Sequence, residues 1–163
     1  MNMYDYDPQK AARVWQRVQG NAIHTEPGGI PEAGPAPRSL PALILDVQQD
    51  AGLYFQLSRR FQGRDNALLR HLAEETQSQV ACLQGIHALQ AGTRPAGHAQ
   101  PPFREPTEAL LRRCFGQAVR RIAEYESRTT EPAYGSVFAR LAAQTGVHCQ
   151  TILEILGRWR EKG

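Results

Sequence analysis

Residues 72–86, LAEETQSQVACLQGI, and residues 141–155, LAAQTGVHCQTILEI, are two versions of one pattern. In both stretches apolar residues return every three or four positions, the spacing that gathers them on one face of an α-helix. Both stretches also interrupt that apolar face with polar residues near its centre. A pattern that recurs in this way indicates an internal duplication, so the chain is predicted to fold as two related halves.

The duplication extends to the helix that precedes each stretch. A tyrosine stands 18 residues before the start of the first stretch and 16 residues before the start of the second. Aligning the halves matches three pairs of residues: Tyr54 with Tyr125, Thr76 with Thr145, and Gln79 with His148. Each half is therefore predicted to be a helical hairpin. The two tyrosines are predicted to lie in the core, where each hydroxyl needs a hydrogen-bond partner.

Apolar residues at helical spacing predict four long helices, over about 40–61, 66–91, 107–128 and 133–160. Gly63 is predicted to end the first helix, and Asp65 is predicted to cap the second. Short turns join the helices of each pair, whereas a long stretch rich in proline and glycine, 92–106, joins the two pairs. The predicted fold is therefore all-α: a four-helix bundle with one long crossover.

The N-terminal part of the chain has a different character. A short helix fits residues 8–19, PQKAARVWQRVQ, with Trp15 on its apolar face. The large indole needs burial, which favours a flap covering the bundle, and a partner-binding helix is the alternative. The predicted organisation is an N-terminal region, 1–39, that holds this helix and an extended segment, followed by the helical bundle, 40–163.

Composition excludes several classes of protein. No apolar run approaches the roughly 18 residues of a membrane span, and the N-terminus MNMYDYDPQK has acids where a secretory signal has basic residues. A cytoplasmic protein without membrane contact is therefore predicted. The net charge is +3 with the acids interspersed, which argues against a nucleic-acid partner. Cys82, Cys114 and Cys149 lack metal-binding spacing and are predicted to be small buried apolar residues.

With these features the chain resembles the ferritin-like superfamily, and within it the rubrerythrin-like proteins of bacteria. The resemblance is carried by residues 53–86, LYFQLSRRFQGRDNALLRHLAEETQSQVACLQGI, and 125–156, YESRTTEPAYGSVFARLAAQTGVHCQTILEIL. In that family each half brings a Glu seven residues before its tyrosine and a Glu-x-x-His on its second helix, and these six side chains hold two iron or manganese ions. The resemblance implies a ferritin-like bundle, with a homodimer as one arrangement.

Only one of the six family ligands is present in this chain. The matching positions are Val47, Thr76, Gln79, Ala118, Thr145 and His148. All four carboxylates are missing, and one imidazole, two hydroxyls and one amide cannot neutralise two metal ions. The chain is therefore predicted to have lost the dimetal site, and no cofactor or catalytic residue is expected. His148 is predicted to be a core histidine hydrogen-bonded to Thr145, Gln79 or Thr76.

A displaced metal site is the alternative for these residues. Asp46 and Asp50 lie four residues apart on one face of the first helix, and His71 and Glu75 have the same spacing on the second. Glu74, next to Glu75 in sequence, is a further acid that such a site could use. These residues flank the apolar stripe instead of lying on it, which is where solvated charges are found. The pattern therefore favours surface charges over a metal site.

Three functions follow from this reading of the sequence. The preferred one is a non-catalytic ferritin-like bundle with a structural or partner-binding role and an unidentified protein partner. The second is a rubrerythrin-like redox protein that holds iron or manganese in an altered site. The third is a small-molecule binder with a cavity where the family holds its metals, because Val, Ala and Thr are smaller than the Glu they replace.

Overall fold

The computed structural model describes residues 38–92 and 101–162, and within these ranges the chain is all-helical, without a strand. Its four helices are α1 Leu40–Ser58, α2 Gly63–Ala91, α3 Thr107–Ser127 and α4 Gly135–Lys162. The predicted all-α fold is confirmed, and every predicted helix end lies within three residues of the observed one. The predicted helix at 8–19, with Trp15, lies outside the described residues.

Local hydrogen bonds determine where α1 begins and ends. The Ser39 hydroxyl accepts a hydrogen bond of 3.4 Å from the amide of Ala42, and Pro41 stands in the first turn, where a missing N–H leaves no bond unmade. The helix ends at Ser58, earlier than predicted, because the next three amides each donate to the carbonyl three residues back. These tighter turns continue the chain as a bend and not as an α-helix.

The predicted cap at Asp65 is wrong. The second helix begins at Gly63, whose φ of 62° lies in the left-handed region that favours glycine, so Asp65 is already in the first turn. Its carboxylate accepts hydrogen bonds from Nε and Nη2 of Arg158, at 3.0 and 2.6 Å. Asp65 therefore ties the start of α2 to the end of α4.

Contacts between helices establish their directions. Short connections fold α1 against α2 and α3 against α4 as antiparallel hairpins, as predicted. The start of α1 meets the end of α3 at the ion pair between Arg38 and Glu124. The end of α1 meets the start of α3, where Arg60 hydrogen-bonds Thr107. The helices α1 and α3 are therefore antiparallel. The helices α2 and α4 are antiparallel as well, because the Asp65 contact joins the start of α2 to the end of α4.

The core consists of two apolar clusters with polar residues between them. One cluster includes Leu53, Tyr54, Leu57, Leu69, Leu111, Ala118 and Ile152. The other includes Leu43, Val47, Val80, Leu83, Tyr125, Phe138 and Leu141. On every helix, buried polar residues separate the two clusters along the chain, and these are Asp50, Thr76, Gln79, Arg121, Thr145 and His148. We call these six residues the polar layer.

The outer faces of the described helices are mainly polar. The large apolar side chains with substantial exposure among the described residues are Phe55, Leu89 and Trp159. Trp159 packs edge-on against Phe61 at one end of the molecule, with ring centroids 5.5 Å apart. No described helix combines the length and the apolar character that crossing a membrane requires.

The first residue of α4 has no room for a side chain, since a Cβ on Gly135 would lie 2.2 Å from the carbonyl oxygen of Thr129. We expect Gly135→Ala to lower the free energy of unfolding by about 1–3 kcal/mol, the range for overpacking, as measured by urea denaturation. Gly157→Ala is the matched control, because nothing lies within 4 Å of its added Cβ. The control should gain about 0.5–1 kcal/mol from its better helix propensity. Equal changes in the free energy of unfolding for the two substitutions would contradict the close approach of Gly135 to the Thr129 carbonyl.

Candidate functional site

The six positions that match the metal ligands of the resembled family are all buried, each at most 1% exposed. Val47 and Ala118 belong to the two apolar clusters, and the other four positions belong to the polar layer. All six positions therefore face the core of the bundle. The chemistry of the layer depends on how its polar groups pair.

Gln79 connects three helices through its side-chain amide. The amide nitrogen donates to Oε1 of Gln144 at 2.9 Å and to the Thr145 hydroxyl at 3.2 Å, both on α4. The amide oxygen accepts a hydrogen bond of 2.8 Å from the Tyr125 hydroxyl on α3. Tyr125 therefore has the hydroxyl partner that its burial requires.

His148 makes the corresponding contact from the other half of the duplication. Its Nε2 lies 2.7 Å from Oε2 of Glu75 on α2. The alignment that matches Gln79 with His148 also matches Glu75 with Gln144. The two cross-helix pairs, Gln79 with Gln144 and His148 with Glu75, are therefore equivalent contacts of the two halves.

The predicted hydrogen bond from His148 to Thr145, Gln79 or Thr76 is wrong. Glu75 is partly buried and reaches from the neighbouring helix to Nε2, so it is not the solvated charge that the sequence pattern predicts. A carboxylate is the stronger acceptor, since hydrogen bonds to charged groups exceed those between neutral groups. The second ring nitrogen, Nδ1, and the Thr76 hydroxyl have no hydrogen-bond partner within the described residues.

The charge of this pair lies on the carboxylate at neutral pH. The hydrogen bond from His148 lowers the pKa of Glu75. Burial lowers the pKa of His148, although Glu75 acts in the opposite direction. The imidazole is therefore neutral and donates its Nε2–H to Glu75. From the exposed side, His71 contacts the other oxygen of the same carboxylate.

A buried ion pair crosses the polar layer between α1 and α3. Nη1 of Arg121 donates to Oδ2 of Asp50, and the two residues are 4% and 7% exposed. Each of them stands four residues before the tyrosine of its own half, Tyr54 or Tyr125. The duplication thus carries opposite charges at equivalent positions, and these charges meet inside the bundle.

The prediction of two solvated acids on α1 is correct for Asp46 and wrong for Asp50. Asp46 remains partly exposed and pairs with Arg38. Four residues rotate a helix by about 40° beyond a full turn, and this turns Asp50 toward α3. Sequence reasoning missed Arg121. The signal that could have found it is its alignment with an acid in the other half, four residues before the matched tyrosine.

The Arg121 guanidinium stays charged although it is buried. Burial by itself lowers the pKa of Arg121, but the nearby Tyr54 and Asp50 raise it, and the net shift is upward. Burial raises the pKa of Tyr54 and of Tyr125, so both side chains remain protonated phenols. Within the described residues, Nε and Nη2 of Arg121 and the Tyr54 hydroxyl form no well-aligned hydrogen bond, although the hydroxyl and the guanidinium lie close to each other. A permanent cation therefore occupies the polar layer.

The two buried cysteines do not supply a nucleophile to this region. Cys114 and Cys149 are buried, as predicted, and Cys82 is partly buried. Burial raises the pKa of Cys114 and of Cys149, the latter to about 12. Both thiols are therefore protonated at neutral pH, and the thiolate is the reactive form.

The four residues of the alternative metal site belong to two separate groups. Asp46 and Asp50 pair with arginines, whereas His71 and Glu75 contact each other on α2. Across 38–92 and 101–162, no three His, Cys, Asp or Glu side chains come together in a way that could hold a metal ion.

Comparison of the chain with protein families, with curated proteins and with solved structures finds no match. The resemblance to the ferritin-like superfamily therefore remains an interpretation of the residues.

The buried ion pair yields a prediction about stability. Asp50→Leu strands the Arg121 charge in the core, so we expect it to lower the free energy of unfolding by about 3–5 kcal/mol. Adding Arg121→Met should recover most of that loss, because an apolar pair needs no charge partner. Glu108→Gln is the control: it breaks exposed pairs with Arg112 and Arg160, which solvent screens, and it should lower the free energy of unfolding far less than Asp50→Leu. If the variant with both Asp50→Leu and Arg121→Met were no more stable than Asp50→Leu alone, the pairing of Asp50 with Arg121 would be contradicted.

The His148–Glu75 pair yields a prediction about pH. Because the pKa of His148 is lowered in the folded state, the unfolded chain binds more protons below about pH 6.5, the ordinary histidine pKa. Stability should fall on acidification from that pH, by at most about 1.4 kcal/mol per pH unit for one proton. The lowered pKa of Glu75 adds a further loss at lower pH.

Melting temperatures of the parent and of His148→Gln between pH 8 and pH 5 measure this dependence. The His148→Gln variant should lose the decrease in melting temperature that begins near pH 6.5. His71→Gln, which changes an exposed imidazole on the same carboxylate, should keep that decrease. A parent and a His148→Gln variant with parallel pH profiles would show that His148 is not the group responsible.

Proposed function

We propose that the chain is a ferritin-like bundle, resembling the rubrerythrin-like proteins, that carries an internal ion pair instead of a dimetal centre and acts by binding and not by catalysis. The observation that carries the proposal is the buried guanidinium of Arg121 in the polar layer. The structural or partner-binding role, the protein partner and the homodimer are parts of the same proposal.

The charges of the layer support the absence of metal chemistry. Two divalent ions need several anionic oxygens, and the layer and its immediate contacts supply two carboxylates, Asp50 and Glu75. Asp50 is paired with Arg121, and Glu75 is paired with His148. A cation entering here would also meet the fixed positive charge of Arg121, which acts on both Tyr54 and His148.

The directions of the helices support the ferritin-like part of the proposal. Since α1 is antiparallel to both α2 and α3, the helices α2 and α3 run parallel. The end of α2 and the start of α3 therefore lie at opposite ends of the bundle, as the long crossover of the ferritin-like topology requires. The equivalent contacts of the two halves also agree with a duplicated hairpin.

The protonation states support binding over catalysis. The buried thiols and phenols near the layer keep their protons at neutral pH. Such groups are poor nucleophiles, because activation requires a lowered pKa or a neighbouring base. The neutral His148 is the candidate base in the layer. Glu75 holds its Nε2–H, and the basic nitrogen Nδ1 is buried with no described hydroxyl or thiol within hydrogen-bond distance to deprotonate.

One observation favours the second candidate, a redox protein with iron or manganese in an altered site. The Glu75 carboxylate is contacted by imidazoles on both of its oxygens, from His71 and from His148. Carboxylate and imidazole are ligands that iron and manganese accept. In the described structure these groups bond to each other, so metal binding would require them to separate.

Metal titration tests the proposal. We expect Fe²⁺ or Mn²⁺ to leave the melting temperature of the parent unchanged, and protein purified anaerobically from its native host to carry less than stoichiometric metal. Two equivalents of either metal in that preparation would overturn the proposal, and one equivalent lost on His148→Gln would favour the second candidate.

Restoring the family's ligands provides the positive control. The restored variant combines Val47→Glu, Thr76→Glu, Gln79→His, Ala118→Glu and Thr145→Glu. We expect metal to stabilise it only when Asp50→Leu and Arg121→Met are added, because the guanidinium otherwise opposes the metal charge. At 100 times its dissociation constant, a metal that binds only the folded state adds about 2.7 kcal/mol. A restored variant that binds metal equally well with Arg121 in place would count against the central argument.

A further inference from the structure

A pocket of about 250 Å³ opens between α1 and α3, on the outer side of the buried ion pair. Asp50 and Arg121 form its inner end, and Arg38, Asp46, Gln117 and Arg120 line it toward the surface. At about 30 Å³ per water molecule, this volume corresponds to about eight waters or a small organic molecule. The pocket thus extends from the solvent to the polar layer.

The lining of the pocket has a surplus of positive charge. Asp46 is paired with Arg38, and Asp50 is paired with Arg121. Arg120 is exposed and forms no ion pair with any described residue, although its charge acts on Asp50 across the pocket. The lining itself therefore holds three guanidinium groups and two carboxylates, while Glu124, which also pairs with Arg38, lies outside the lining.

Hydrogen-bonding groups of the lining are also without partners. Nε and Nη2 of Arg121 are buried and form no well-aligned hydrogen bond with a described residue, although the Tyr54 hydroxyl lies close to the guanidinium. Oε1 of Gln117 is buried and has no partner among the described residues. Arginine nitrogens only donate, so they require an acceptor. The Gln117 amide presents either its oxygen or its nitrogen, because rotation about its last bond exchanges the two. The Arg121 nitrogens are shielded from solvent, so the guanidinium acts on the pocket through its charge, and this charge suits a ligand with an anionic group at the inner end.

We propose that the pocket between α1 and α3 binds a small molecule through an oxyanion group, a carboxylate or a phosphate. Arg120 meets the charge at the mouth, Gln117 contacts the ligand along the wall, and the buried guanidinium of Arg121 adds its positive charge at the inner end. A cationic ligand is disfavoured, because three arginines line the pocket and both acids are already paired. The site does not depend on the absence of metal, so metal titration and ligand binding are separate tests.

Thermal unfolding of the full chain in the presence of inorganic phosphate or succinate tests the proposal, with sodium chloride at equal ionic strength as the reference. We expect at least one of the two probes to raise the melting temperature by about 3 °C or more beyond the chloride reference at saturation. A response to phosphate alone supports a phosphate-bearing ligand, and a response to succinate alone supports a carboxylate. The absence of a response to both would overturn the proposal.

Matched variants locate the binding. Arg120→Gln removes an exposed side chain that no described contact requires, so the variant should fold, and its affinity measured by calorimetry should fall by about tenfold or more. Gln117→Leu should also weaken binding. Arg140→Gln, which removes the same charge from the exposed face of α4, should bind like the parent. Undiminished binding by Arg120→Gln, or an equal loss in Arg140→Gln, would show that the anion does not bind in this pocket.

Discussion

The ion pair between Asp50 and Arg121 is the constraint on which the rest of the structure depends. Neither charge can be buried alone, because an unpaired charge in a protein core costs several kcal/mol. The two residues come from different hairpins, so their pairing also holds α1 against α3. Sliding one helix along the other would separate the charges, and the register of the two halves is therefore tied to this contact.

The polar layer extends the same constraint to α2 and α4. Gln79 and His148 each reach across to the opposite helix, and their partners Gln144 and Glu75 stand at equivalent positions of the duplication. The apolar clusters on either side of the polar layer form non-directional contacts, and such contacts tolerate many arrangements of similar volume. The directional contacts between the clusters select one of these arrangements.

The proposed function follows from how the layer balances its charge. A dimetal bundle holds its positive charge as exchangeable ions among several carboxylates, whereas this chain holds it as a guanidinium fixed to α3 and balanced by Asp50. A fixed cation is not gained or lost and does not change oxidation state. It also places the charge of Arg121 at the pocket between α1 and α3, which joins the buried layer to the surface.

The sequence by itself determined the four helices and the core-facing positions, because the apolar periodicity is local and each helix shows it independently. It also matched the two halves residue by residue. Only the tertiary structure decided the partners inside the core. Asp50 and Glu75 look like surface charges beside an apolar stripe, and Arg121 looks like one of many surface arginines. Whether such a side chain turns inward depends on a residue 71 or 73 positions away, and helical periodicity carries no information about contacts at that distance.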